Sequence, residues 1–211
     1  MTATRRQQVT PVSFVQFSAL MRSTPVLPTP HQLLDFQVET LVAKKLAKYG
    51  NADRFRKNLP AGSFIFVPAQ PKFTNDTLKH LMSLVVLNSK SGVNHLDADV
   101  LKDEVKVPSG AHLMVGVEDG DARCNILPSE NRKAILAEGR QPYNIWRGIV
   151  HAILFPETLA HHYMDLVASR YKSEFWPFLY LSDGQPKLFA DWYGGSSTEW
   201  GAPSCGRVIG G

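Results

Sequence analysis

The apolar positions of this chain come in short bursts with two different periods. Leu34, Val38, Leu41, Val42 and Leu46 recur at three- and four-residue intervals, which predicts an amphipathic helix with one buried stripe. Thr29-Pro30 just before it supplies a capping hydroxyl and a first helical residue with its φ already set, and Gly50 is the expected stop. A second short helix is expected over Asp53 to Leu59, the two together making an N-terminal helical cap. Upstream, Pro25, Pro28 and Pro30 read as a stiff connector. The run Val12 to Met21 suits a strand or a short helix, and the polar residues 1–10 are expected to be disordered.

Other bursts are shorter and bounded by turn residues. Phe64 to Val67 lies between Gly62 and Pro68, and His112 to Val117 lies between Gly110 and Gly120; both read as strands. Thr77 to Met82 reads as a helix capped by Asn75 or Asp76. Leu84 to Leu87 is a further apolar run, and Asp97 to Leu101 is ambiguous. Three consecutive helices are expected next: Ser129 to Glu138 closed by Gly139, Tyr143 to Phe155 capped by Asn144 and stopped by Pro156, and Glu157 to Ala168.

Near the C-terminus the character changes. Trp176 to Leu181 and Lys187 to Tyr193 flank Ser182-Asp183-Gly184-Gln185-Pro186, and Asp-Gly between two such runs signals a β-hairpin, here with a loop longer than two residues. Short strands separated by helices of uneven length predict an α+β fold with a mixed or largely antiparallel sheet, N-terminal and central helices and a C-terminal aromatic hairpin. Residues 11–211 are expected to form one domain.

Composition narrows the function classes. With 44% hydrophobic and 20% charged residues the 211-residue chain can close a core without metal or disulfide staples. The net charge of +4 is dispersed. Its two basic groups, Lys44–Lys45–Lys48 and Arg54–Arg56–Lys57, sit beside Asp35, Glu39 and Asp53 as a solvated face, which argues against nucleic-acid binding. Two cysteines, no secretory apolar segment and no stretch long enough to span a membrane predict reduced thiols, a cytoplasmic location and no membrane partner.

Candidate chemistry is sparse. His161 and His162, with His151 earlier, are expected on helix, where adjacent side chains diverge by about 100° and cannot easily share one ion. There is no HExxH and no CxxC, so no metal and no cofactor is expected. Gly194-Gly195-Ser196-Ser197 lacks the Gly-Lys-Ser/Thr ending of a phosphate loop. Asp97, Asp99, Asp103 and Glu104, and later Glu118, Asp119 and Asp121, read as solvated loops.

Two constellations remain. Cys205, between Ser204 and Gly206-Arg207, is the best nucleophile candidate, because a nearby guanidinium favours the thiolate. Its base would be His161, His151 or His162, and the plain alternative is a small buried thiol. The second constellation is aromatic: Trp176, Phe178, Tyr180, Trp192, Tyr193 and Trp200, interleaved with Arg170, Lys187, Glu199 and Arg207. Arg170, Lys187, Trp192, Trp200 and Arg207 are the candidate binding residues for an anionic or planar small molecule or for a protein partner. The plain alternative is that these rings fill the core. The preferred expectation is a non-enzymatic ligand-binding or protein-interaction module; the other is a small hydrolase or transferase using Cys205.

Several segments resemble a bacterial family catalogued as Domain of Unknown Function 5701. They are Phe64 to Pro68, the stretch Val105 to Pro128 containing Val107-Pro108-Ser109-Gly110, Ile135-Leu136-Ala137-Glu138-Gly139-Arg140, Ala168-Ser169-Arg170, Trp176-Pro177, Pro186-Lys187-Leu188, and Trp200-Gly201 through Ser204-Cys205-Gly206-Arg207. The likeness spans residues 35 to 208. The resemblance implies one bacterial domain and brings with it no activity, ligand or catalytic residue. Tyr171-Lys172-Ser173-Glu174 and Asp191 stand where relatives often carry cysteine, so a role for those cysteines would not transfer to this chain.

Overall fold

The computed structural model describes residues 28–192 and 198–211. The expectations for residues 1–10, for Val12 to Met21, for Tyr193 and for Gly194-Gly195-Ser196-Ser197 lie outside the described residues.

Helix α1 (Pro30–Ala43) starts as its sequence requires: the Thr29 hydroxyl accepts from the Gln32 amide while the Gln32 side chain accepts from the Thr29 amide, and Pro30 fills the first helical position. It stops well before Gly50. Lys45 takes a left-handed conformation with φ 61°, and Leu46 N donates to Leu41 O while Lys45 N donates to Val42 O, a closure that does not need glycine. The second helix, α2, is also shorter than expected, Asp53–Arg56.

Two sheets dominate. The first is antiparallel with strand order β1 (Phe64–Val67), β6 (His112–Glu118), β13 (Ser204–Gly210), β7 (Gln141–Pro142). Buried Gln37 of α1 seals the free edge of β1: its amide nitrogen donates to Phe64 O and its oxygen accepts from Phe66 N, so one side chain replaces a missing strand. The second sheet runs β12 (Trp200–Gly201), β8 (Tyr163–Asp165), β10 (Trp176–Ser182), β11 (Gln185–Asp191), β4 (Val93–Asn94). Its outer pairs β12–β8 and β11–β4 are parallel and its central pairs antiparallel. Two small ladders, β2 (Val86–Leu87) with β3 (Lys90–Ser91) and β5 (Leu101–Asp103) with β9 (Ser169–Tyr171), complete the strands; helix α3 (Asn75–Ser83) packs against β4 and β11, and helix α4 (Pro128–Ala137) against β7. The fold is α+β, as the pattern predicts.

The hairpin β10–β11 is tighter than expected. Ser182 pairs with Gln185, and both intervening residues have positive φ, Asp183 at 53° and Gly184 at 71°. This two-residue turn matches the strand twist, so Pro186 lies inside β11 opposite Leu181 rather than in a loop. The aromatic side chains gather on one face: Phe178 pairs with Phe189, and Tyr163 stacks on Phe178 at 6.0 Å and on Trp200 at 6.3 Å. Leu179 and Leu188 point to the opposite face and are buried in the main core.

Helix α5 (Ile145–Leu154) is buried along its whole length and touches both β1 and β10. Asn144 caps it by accepting from Arg147 N at 3.1 Å. A side chain at Gly148 would stand 2.3 Å from a Leu166 methyl, so only glycine lets Leu166 approach this closely. The third expected central helix does not form. Pro156–Ala160 is a 3-10 turn, after which Tyr163–Asp165 enters the second sheet as β8. Pairing to β10 on one side and β12 on the other outweighs the weak helical preference of that stretch. Among the described residues no helix is long and apolar enough to cross a membrane.

Candidate functional site

A cavity of about 690 Å³ opens where the start of α1, the chain ahead of β1, the end of β6 and the end of α5 meet. Pro30, Leu33, Phe64, Ile65, Val117 and Phe155 give it mostly apolar walls. Its size is that of a site for a small organic molecule. Among the described residues, polar groups enter at three places: His151 with Thr158 on one wall, the segment Glu118 to Arg123 along another, and Ser63 ahead of β1.

His151 is held inside an otherwise apolar stretch of α5. Its Nδ1 lies 3.4 Å from the Tyr143 hydroxyl and its Nε2 lies 3.5 Å from Thr158 Oγ1. Burial pushes its pKa down to about 4; the Asp119 carboxylate draws it back up and His162 pushes it down. At neutral pH the ring is therefore uncharged and a weak base, suited to hydrogen bonding rather than proton abstraction.

The segment after β6 is placed by backbone packing. Gly120 adopts φ 109°, open to glycine without strain, and lies against Gly201 and Pro203. His162 Nε2 stands 3.0 Å from the Asp119 carbonyl oxygen, and the Asp121 amide donates to Asp119 Oδ1 at 3.1 Å. Arg123 is committed elsewhere: it pairs with Glu138 at 2.5 Å and with Glu118 at 3.4 Å, which hold its pKa above the usual value. Arg140 pairs with Glu118 as well, at 3.2 Å. Asp119 and Asp121 form no ion pair among the described residues.

Some buried hydrogen-bonding capacity is unmet among the described residues. Arg123 Nε, Asn131 Oδ1, Glu157 Oε2, His162 Nδ1 and both carboxylate oxygens of Asp165 are buried without a partner. Asp165 is fully buried, and burial raises its pKa to about 8, so it is protonated at neutral pH. Among these residues only Arg123 lines the cavity; Asp165 lies in β8 and Glu157 in the 3-10 turn, so the unmet atoms are spread over neighbouring elements.

The residues singled out in the sequence do not converge on this cavity. Cys205 sits on β13, fully buried, paired with Val117 and Gln141. Burial pushes its thiol up while Arg147 and Arg140 pull it down, with a net rise. It hydrogen-bonds to no histidine among the described residues. His161 is exposed at the end of the 3-10 turn. Arg170 stacks over the Trp176 ring at 3.2 Å and pairs with Glu104 at 3.1 Å. Lys187 donates to the Ser182 hydroxyl at 3.1 Å on the hairpin. Trp192 is 65% exposed just past β11, Trp200 stacks on the aromatic face of the second sheet, and Arg207 is exposed on the first sheet. These five therefore belong to three different sheets or their ends.

The sequence reads Glu118, Asp119 and Asp121 as solvated and His151 as a possible base; Asp121 is exposed and the Glu118 side chain 43% exposed, and what the sequence does not show is that they border a cavity. Two signals pointed further. Arg147 and His151 stand four residues apart in the otherwise apolar run Ile145 to Leu154, where polar side chains must be buried and partnered. Asp119-Gly120-Asp121 directly follows a strand, as a sharp turn with acidic shoulders would.

The model of one protein family, described as a family of unknown function (DUF5701), matches residues 29–210. The chain belongs to this family. Apart from Pro28, every residue lining the cavity falls in the region shared with DUF5701. Comparison with curated proteins and with solved structures finds no match.

Proposed function

We propose that this protein is a non-enzymatic binding module for a small, largely apolar molecule held in the cavity between α1, β1, β6 and α5. The observation that carries this reading is the cavity itself: apolar walls of ligand-holding size, interrupted by the Thr158 hydroxyl, which the neutral His151 holds in place. The competing reading, a hydrolase or transferase with Cys205 as nucleophile, has less behind it, because the thiol is buried, its pKa is raised and it hydrogen-bonds to no histidine among the described residues.

A thermal-shift series with apolar fragments tests the proposal. A ligand present at a hundred times its dissociation constant adds about 2.7 kcal/mol, a shift of several degrees for a domain of this size. Ala122→Trp, which places an indole at the exposed side of the cavity, should abolish the shift without lowering the melting temperature of the free protein. Absence of any shift across the series would sink the reading.

A further inference from the structure

Resting on that reading of the cavity, we infer that its ligand is an apolar cation, an amine carried on a hydrophobic body, which the Asp119 and Asp121 side of the cavity selects over neutral and anionic molecules of the same shape.

The argument is a charge inventory of the walls. Besides His151, the ionisable side chains lining the cavity among the described residues are Glu118, Asp119, Asp121 and Arg123. Arg123 is the only cation among them, and its guanidinium is already engaged by Glu138 and Glu118. Glu118 is in turn shared between Arg123 and Arg140 and lies 3.3 Å from the Ser204 hydroxyl. What remains uncompensated is the pair Asp119 and Asp121, without a cation in ion-pair range among the described residues. Asp119 is also the charge that acts on His151 across the site, so its field reaches the wall where the hydrogen-bonding groups sit.

Among the described residues, a carboxylate or phosphate entering here would meet two acids and no uncommitted cation, and an ammonium would meet the two acids as partners. Asp119 is half-buried and Asp121 exposed, so these are partly solvated charges beside an apolar wall, and the sign of the ligand sets a modest, salt-sensitive preference. The loop is held firmly enough to discriminate. Gly120 is wedged against Gly201 and Pro203, and His162 stands within hydrogen-bond distance of the Asp119 carbonyl.

Three probes with one ring system decide the matter: 1-naphthylmethylamine, 1-naphthylmethanol and 1-naphthoic acid, titrated calorimetrically into the full chain at neutral pH. The amine should bind about fivefold or more tighter than the alcohol, with the carboxylate weakest, and the preference should shrink at high salt. Asp119→Asn keeps the acceptor for the Asp121 amide and removes the charge; it and Asp121→Asn should each narrow the gap between amine and alcohol. If the alcohol or the acid binds as tightly as the amine, and Ala122→Trp still blocks all three, the charge selection is wrong and the cavity reading stands. If none of the three binds the wild-type chain, both fall.

Discussion

A methyl group placed on Gly201 would stand 2.1 Å from the carbonyl oxygen of Gly120. The acidic turn after β6 and the β12 segment thus meet backbone to backbone, and glycine is required on the Gly201 side of that contact. Gly201→Ala should cost about 1–3 kcal/mol through overpacking and displace the turn. The melting temperature should fall by several degrees and amine binding should weaken together with it. An alanine variant with unchanged melting and binding would show that the turn is not held this way.

Asp165 makes stability depend on pH in an unusual direction. A carboxyl whose folded pKa is about 8, against an ordinary value of 3.8, keeps its proton in the folded chain where the unfolded chain has lost it. Its contribution is therefore fully present below about pH 3.8 and is lost as the pH rises to about 8. Asp165→Asn should raise the melting temperature by several degrees at pH 8 and leave it unchanged at pH 4. An equal change at both pH values would contradict the assignment.

His112 and His151 push the other way. Each is buried and has its pKa lowered to about 4, so each favours the fold when neutral, and that stability is lost as the pH falls from about 6.5 to 4. Taken with Asp165, these groups place maximum stability near pH 6.5. Melting temperatures recorded from pH 4 to 9 should rise and then fall around that value, and the fall should vanish in Asp165→Asn. A profile that climbs steadily to pH 9 would refute the balance.

Arg147 is a fully buried guanidinium whose donors reach His112 Nε2 at 3.3 Å, Pro142 O at 3.3 Å and Gln141 Oε1 at 3.1 Å, with no carboxylate among them. Its charge is one of the influences that lower the His112 pKa, after burial itself. Arg147→Met should therefore raise the His112 pKa, read from the imidazole proton shifts. An unmoved titration would mean that burial, with the Gly110 hydrogen bond and the Arg54 charge, sets it without Arg147.

Cys205 offers a direct check against the nucleophile reading. In the native chain it should resist alkylation by iodoacetamide, with the half-buried Cys124 modified first and Cys205 reacting only on unfolding. Rapid stoichiometric labelling of native Cys205, found by peptide mass analysis, would revive that alternative.

What the sequence disclosed was local. Thr29-Pro30, Asn144 and Asp183-Gly184 each act within a few residues, so the α1 start, the α5 cap and the hairpin could be read directly. Glu157 to Ala168 was misread because its strand Tyr163–Asp165 is defined by partners at Phe178 and Trp200, which no local pattern reveals. The glycine-rich C-terminal segment carried no expected element at all, yet it supplies β13, which sits between β6 and β7. The cavity was hidden for the same reason, since its walls come from residues 28–33, 61–65, 117–123 and 151–158. Chemistry-bearing types such as Cys205 and Trp192 drew attention by identity, whereas the site is defined by the space those four segments leave.

The most direct test is a fluorescence titration with the neutral probe N-phenyl-1-naphthylamine on the wild-type chain, on Ala122→Trp, and on a Phe189→Ser, Trp192→Ala variant that alters the exposed aromatic end of the second sheet. Saturable binding that weakens at least about tenfold in Ala122→Trp and is unchanged in the aromatic variant is the expected result. Binding that survives Ala122→Trp and disappears in the aromatic variant would contradict it, moving the site to the β10–β11 hairpin.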